Sequence, residues 1–147
     1  MTIVPFRVAR YFIAMTVGAR TKLIAVVDDD ELGRDALQRL LKTSGFAVTS
    51  FGSAEDLLNS GQLPEVACLI ADIRMPGMSG LDLQAKLNAD SYAIPIIFVT
   101  AHGDEKMRLQ AMRAGAVGFL AKPFDGGILL DRVRAALETT SSQQRPG

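Results

Sequence analysis

LIAVVDDDE, residues 23 to 31, sets five apolar residues directly before four carboxylates, with no lysine or arginine among them. Acidic residues that open a helix are favoured by its dipole, and a run of like charge is most often a solvated face. That ordinary reading holds unless the surrounding chain gives the charges a common destination. Outward from this stretch, short β-rich apolar runs recur: AVTSF at 47 to 51, VACLIA at 66 to 71, PIIFVT at 95 to 100 and VGFLA at 117 to 121. Each has the length of a strand. Between them the apolar residues take helical spacing. Leu32, Ala36, Leu37, Leu40 and Leu41 form one stripe, and Leu81, Leu83, Ala85 and Leu87 another. Met107, Ala111 and Met112 mark a further inner face, as do Ile128, Leu129, Val133, Ala136 and Leu137. SAEDLLNSG supplies the second helix, with Ser53 as N-cap, Asp56 three residues on and Gly61 as the stop. Strands alternating with helices predict a parallel sheet covered on both faces, and LIAVV and VACLIA, apolar throughout, suit strands buried on both sides.

Composition bounds the function. A chain of 147 residues with formal net charge +0 is read as one domain, and it lacks the basic excess that holds nucleic acid by bulk electrostatics. Cys68, the single cysteine, lies within VACLIA and is expected to be a buried structural thiol. One cysteine fits a reducing, cytoplasmic compartment. No run reaches the ~18 apolar residues of a membrane span. Residues 1–21 differ in character. Arg7 and Arg10 precede the apolar YFIAM, but without the length or cleavage site of a secretory signal. This segment is expected to be an N-terminal extension, or the result of a start assigned too early, with Met15 the working initiator. The folded unit is expected over 22–139, with 140–147 a flexible tail that frays from Thr139.

The alternation gives the carboxylates their destination. In an open parallel sheet, ligands bind beyond the carboxyl ends of the strands. Asp28, Asp29 and Asp30 follow the first strand, Asp72 the third, Thr100 ends the fourth and Lys122 follows the fifth. Carboxylates gathered at one edge repel unless a cation neutralises them, and oxygen ligands of this kind suit Mg²⁺. Thr100 and Lys122 then offer a hydroxyl and a fixed positive charge to an anion beside the metal, the needs of a phosphoryl group.

VVDDDE, LIADIRMPGMSG, FVTAHGD and AMRAGAVGFLAKPF, in this order and spacing, resemble the receiver domain of two-component response regulators, and most of all its nitrogen-fixation and nodulation-type branch. The resemblance covers about residues 22 to 139. It implies a flavodoxin-like, doubly wound α/β sheet of five parallel strands, order 2-1-3-4-5, with five helices. It further implies Asp72 as phosphoacceptor, Asp28, Asp29 and Asp72 as Mg²⁺ ligands with the backbone carbonyl of Arg74, and Thr100 and Lys122 as phosphoryl contacts. Thr100 and Phe119 would be the switch pair. Arg74 and His102, each two residues beyond a site residue, are candidates for tuning the phosphate's lifetime, and Pro123 matches the family's cis-peptide position. Asp30 inherits no role. Gly77 and Gly80 let the chain turn close beside Asp72, and Ser79 or Gly80 can open the third helix.

The function so implied is that of a phosphoacceptor which assists its own phosphorylation and dephosphorylation, not an ordinary enzyme. Its partner would be a histidine kinase or a phosphotransfer protein. The output is expected at the face of the fourth helix, fifth strand and fifth helix, where Arg108, Arg113, Arg132 and Arg134 mix with Asp104, Glu105, Asp131 and Glu138. Mixed sign suits a homodimer or another protein rather than DNA or a membrane. A Mg²⁺-dependent phosphatase-like enzyme on a similar sheet is the rival. Haloacid-dehalogenase-like phosphatases want D-x-D-x-T after the first strand, however, and toprim nucleases want D-x-D where Asp72 is followed by Ile73 and Arg74. A chain stopping at Gly147 leaves no room for a helix-turn-helix, so a single-domain regulator is expected, the alternative being a receiver fragment of a longer transcription factor.

Overall fold

A computed structural model of the chain describes residues 22–144. The elements are β1 (Leu23–Val27), α1 (Glu31–Thr43), β2 (Ala47–Phe51), α2 (Ala54–Leu58), a 3-10 turn (Leu63–Glu65), β3 (Val66–Ala71), α3 (Gly80–Ala89), β4 (Ile96–Thr100), α4 (Glu105–Arg113), β5 (Gly118–Ala121) and α5 (Gly126–Gln144). All neighbouring strands pair in parallel, in the order β2-β1-β3-β4-β5. The doubly wound α/β sheet expected from the alternation and the resemblance is therefore present. The N-terminal extension at 1–21 lies outside the described residues, as does 145–147.

Side-chain alternation along the strands divides the core in two. Ala25 and Val27 of β1 face α2, α3 and α4 through Leu57, Leu83, Leu87 and Ala111. Ile24 and Val26 face α1 and α5 through Leu37, Leu41, Leu129, Val133 and Leu137. The three central strands β1, β3 and β4 are buried almost throughout, whereas β2 and β5 stand at the edges and are partly exposed. Cys68 is fully buried, and burial pushes its thiol up to about 12, so it is a core residue.

Local chemistry starts the helices. The Ser53 hydroxyl accepts the Asp56 N–H at the head of α2. Ser79 accepts the Asp82 N–H while the Asp82 carboxylate accepts the Ser79 N–H, a complete capping box on α3. Asp104 accepts the Met107 N–H at the head of α4. The second helix stops at Leu58, ahead of Gly61, which takes a positive φ of 75° in the turn that follows. At the other end α5 continues to Gln144, past the expected limit near Glu138. Serine and glutamine do not break a helix, and turns nucleated by the buried Leu129, Val133 and Leu137 extend at little cost.

Several residues assigned to inner faces lie outside. Leu32 is 80% exposed, Ile128 47% and Met112 38%, and Ala36 and Ala85 are exposed too. The reason is phase. Leu37 and Leu41 define the buried line of α1, and Leu32, five residues before Leu37, falls about 140° away from it. Ile128 stands in the same relation to Val133 on α5. On α3 the place given to Ala85 is taken by Gln84, which is buried and donates from Nε2 to the Ala111 carbonyl at 2.9 Å, tying α3 to α4. Leu41→Ala is expected to lower stability by about 2–5 kcal/mol, as for a fully buried leucine. Leu32→Ala should stay within about 0.5 kcal/mol of wild type. Urea denaturation of both variants checks the assignment, and equal losses would contradict it.

Candidate functional site

The parallel register brings the strand ends to one level. Val27 pairs with Ala71, Ala71 with Phe98, and Thr100 with Ala121. Main-chain bonds continue the ladder beyond the strands. Asp28 N–H donates to Phe51 O, Asp72 N–H to Val27 O and Lys122 N–H to Thr100 O, at 3.1, 3.0 and 3.0 Å. The residues that follow β1, β3 and β5 are thus held by backbone before any side chain is considered.

Their side chains converge. Lys122 Nζ donates to Asp28 Oδ2 at 2.7 Å and to Asp72 Oδ2 at 3.1 Å. Asp28 is 4% exposed, and its Oδ1 accepts the Asp30 N–H at 2.9 Å. Asp72 Oδ1 accepts the N–H groups of Ile73 and Arg74 at 2.6 and 3.3 Å. Asp29 is exposed at the mouth, and Asp28, Asp29 and Asp72 each bring a ligand oxygen to within 4.8 Å of the others. Three carboxylates face one ammonium, so negative charge is left over at the mouth. An all-oxygen donor set with surplus negative charge fits a hard divalent cation of the Mg²⁺ type.

The loop after Asp72 folds back tightly against it, and a Cβ on Gly80 would collide with the Asp72 carbonyl oxygen. From the far side, Glu55 of α2 accepts the Met78 N–H at 2.9 Å and tethers the same loop. Nothing in SAEDLLNSG marks Glu55 for this, since its partner is 23 residues away. Arg74 is exposed beside the pocket. The Lys122–Pro123 peptide is cis, as the resemblance implies.

Thr100 is 1% exposed, and its hydroxyl oxygen accepts the His102 N–H at 3.3 Å, while the His102 side chain stands in an exposed loop. Phe119 is half-buried and tilted against Phe98, with ring centroids 6.4 Å apart. Between Thr100 and Phe119 lies Gly103, which the sequence does not single out. A Cβ there would stand 2.8 Å from the Phe119 ring and 2.8 Å from the Thr100 methyl. Thr100, Gly103 and Phe119 therefore form one packed contact beside the pocket, whereas Asp28, Asp29, Asp72 and Lys122 form the pocket itself.

Lys122 is the group whose titration these contacts move. Burial alone would favour its neutral form, but the hydrogen bonds and charges of Asp28 and Asp72 outweigh it and raise its pKa above the ordinary 10.5. A raised folded value means that the stabilisation is fully present below the unfolded pKa and fades as pH climbs through the folded one. Without divalent metal, the urea midpoint difference between wild type and Lys122→Met should be flat from roughly pH 7 to 9. It should shrink only above about 10.5. A difference that already collapses near neutrality would contradict the pairing.

Comparison with known proteins agrees with this geometry. The family model described as "Response regulator receiver domain" matches residues 24–134. Nodulation protein W of Bradyrhizobium diazoefficiens is 48% identical over 121 residues, 82% of this chain and 53% of that protein. The transcriptional regulatory protein FixJ of Azorhizobium caulinodans is 42% identical over 122 residues, 83% of this chain and 58% of that protein. The chain thus spans little more than half the length of these relatives. Among solved structures, the response regulator StyR superposes with a TM-score of 0.79 at 43% identity, covering 85% of this chain and 63% of that one. The FixJ-N crystal structure superposes with a TM-score of 0.73 at 39% identity, covering 81% of this chain and 95% of that one. With the family model matching most of its length and its relatives lying among nodulation and nitrogen-fixation regulators, this chain belongs to the response regulator receiver domains.

Proposed function

We propose that this chain is a phosphorylation-dependent binding switch that takes a phosphoryl group from a partner's phosphohistidine onto Asp72 and alters its protein contacts in response. Receiver domains take phosphate from histidine kinases and bind Mg²⁺ at an acidic pocket, and the family is not one of ordinary turnover enzymes. The observation that carries the proposal for this chain is Lys122, whose ammonium bridges Asp28 and Asp72 beside a third carboxylate.

The bonding of Asp72 assigns its two oxygens different tasks. Oδ1 is engaged by two main-chain N–H groups, while among the described residues Oδ2 accepts only from Lys122. Oδ2 is therefore the nucleophile. Its bond to phosphorus forms as the bond from phosphorus to the donor imidazole nitrogen breaks, and the imidazole, already protonated on its other ring nitrogen, takes the bonding pair and leaves neutral. Lys122 follows the charge by moving its contact from the carboxylate to a phosphoryl oxygen. Mg²⁺, held by Asp28, Asp29, Asp72 and the Arg74 carbonyl, would neutralise the remaining oxygens. The Thr100 hydroxyl turns toward the phosphoryl group and carries the loop through Gly103 with it, which changes the space open to Phe119. Arg74 and His102, both exposed beside the site, set how readily water removes the phosphate.

The changed surface is α4, β5 and α5. Leu109, Met112 and Val117 are exposed there at 39%, 38% and 39%, and α4 and α5 also carry the exposed Arg108–Glu105 and Arg134–Asp131 ion pairs. Apolar centres among mixed charges suit a second copy of the chain or another protein. Zero net charge supports action without DNA binding by this chain alone. Phosphotransfer from a histidine kinase would take place in the cytoplasm, where we place the chain; separately, among the described residues no helix is long and apolar enough to cross a membrane. A single-domain regulator is the first reading. A receiver working inside a longer regulator is the second, favoured by the 53% and 58% shares of the two relatives, and the adjoining coding sequence decides between them.

Acetyl phosphate with Mg²⁺ should add one phosphoryl group to wild type, located by peptide mapping on Asp72, and none to Asp72→Asn, which keeps the shape but lacks the attacking charge. Full labelling of Asp72→Asn would overturn the assignment. Amide exchange with and without phosphate should show altered protection over α4, β5 and α5, and changes confined to α1 and α2 would place the output elsewhere.

A further inference from the structure

The first turn of α1 carries an arginine that no step above uses. Arg34 is half-buried, and its Nη1 donates to the backbone carbonyl of Asp28 at 2.7 Å. Its guanidinium also lies over Gly52 in the β2–α2 loop, where a Cβ would stand 3.4 Å from Nη1 and 3.9 Å from Cζ. One side chain thus joins α1, the end of β1 and the loop after β2.

The carbonyl that Arg34 grips belongs to the peptide linking Asp28 to Asp29. The Asp28 carboxylate has its own restraints in Lys122 and the Asp30 N–H. The Asp29 carboxylate has neither a hydrogen-bond nor an ion-pair partner among the described residues, so the backbone alone aims it at the oxygens that lie within 4.8 Å. Rotation of that one peptide would swing Asp29 out of the cluster. We infer that Arg34 is a positioning residue for divalent-cation binding, clamping the Asp28–Asp29 peptide so that Asp29 points into the site.

This inference rests on the phosphoacceptor reading of the pocket, but its sign is independent of it. A positive charge this close should by itself repel Mg²⁺, so removing Arg34 would tighten binding if charge were its whole effect. Positioning demands the opposite.

Calorimetric titration of Mg²⁺ into the intact chain separates the two. Arg34→Met should weaken Mg²⁺ binding about 10-fold, as loss of an outer partner of a metal ligand does. Arg34→Lys should recover part of the loss through its own N–H donor. Gly52→Val, whose Cβ would make ordinary contact with the guanidinium but whose methyl groups would crowd it, keeps the arginine and should weaken binding to a smaller extent, and it preserves the test if Arg34→Met does not fold. On an Asp29→Ala background Arg34→Met should add little, because the two changes share one effect. Unchanged or tighter Mg²⁺ binding in Arg34→Met, an undiminished effect in the Asp29→Ala background, or no Mg²⁺ binding by wild type would overturn the inference. Wild type whose Mg²⁺ binding depends on Arg34 but which takes no phosphoryl group on Asp72 would instead overturn the functional reading alone.

Discussion

The interaction on which the rest depends is the ammonium of Lys122 set between Asp28 and Asp72, partners 94 and 50 residues away in the chain. A carboxylate as deeply buried as Asp28 is costly without a counter-charge, by several kcal/mol per unpaired ion. Lys122 supplies that charge only if the ends of β1, β3 and β5 lie at one level, with β4 between β3 and β5. The parallel ladder, the carbonyl-to-amide bonds that extend it and the buried charge pair are therefore mutually dependent. Loss of register in any one strand would strand a charge.

The same arrangement separates what must be rigid from what can move. The sheet is packed on both faces, by α2, α3 and α4 on one side and by α1 and α5 on the other. Its carboxyl edge instead carries loops held by a few directed bonds. Glu55 restrains the loop beside Asp72, Arg34 the peptide between the paired aspartates, and the Asp28 carboxylate the Asp30 amide. The loop after β4 is held more lightly, by the His102 N–H on the Thr100 hydroxyl and by the contact of Thr100, Gly103 and Phe119, which is van der Waals packing and can re-form in another arrangement. Directed bonds thus fix the carboxylate geometry, whereas the loop after β4 is left able to repack.

Much of this was legible in the chain. The strands follow from apolar runs of strand length, and the start of α2 from Ser53 with Asp56 three residues on, because these signals are local. Asp28, Asp29, Asp72 and Lys122 were legible together because each directly follows a strand, and parallel strands deliver their carboxyl ends to one edge. Misreadings came where local periodicity is ambiguous. Leu32, Ala36 and Ile128 keep apolar or small character at positions that turn outward, and nothing in a helical stripe marks which of two adjacent rows meets the sheet. Gln84 hid for the converse reason, as a polar residue buried because its amide reaches a carbonyl on the next helix.

By itself, the sequence determined the alternation of strands and helices, the serines that start α2 and α3, and the chemical character of the edge, since each depends on residues within a few positions of one another. Only the tertiary structure decided which oxygen of Asp72 is left for Lys122, that Arg34 grips the Asp28 carbonyl, that Glu55 ties down the loop of Met78, and that Gly103 fills the gap between Thr100 and Phe119. These contacts join elements distant in the chain, and their distances exist only once register and packing have fixed where each backbone segment lies. A carboxylate or a glycine looks alike in sequence whether it faces water or a partner brought to it by the fold.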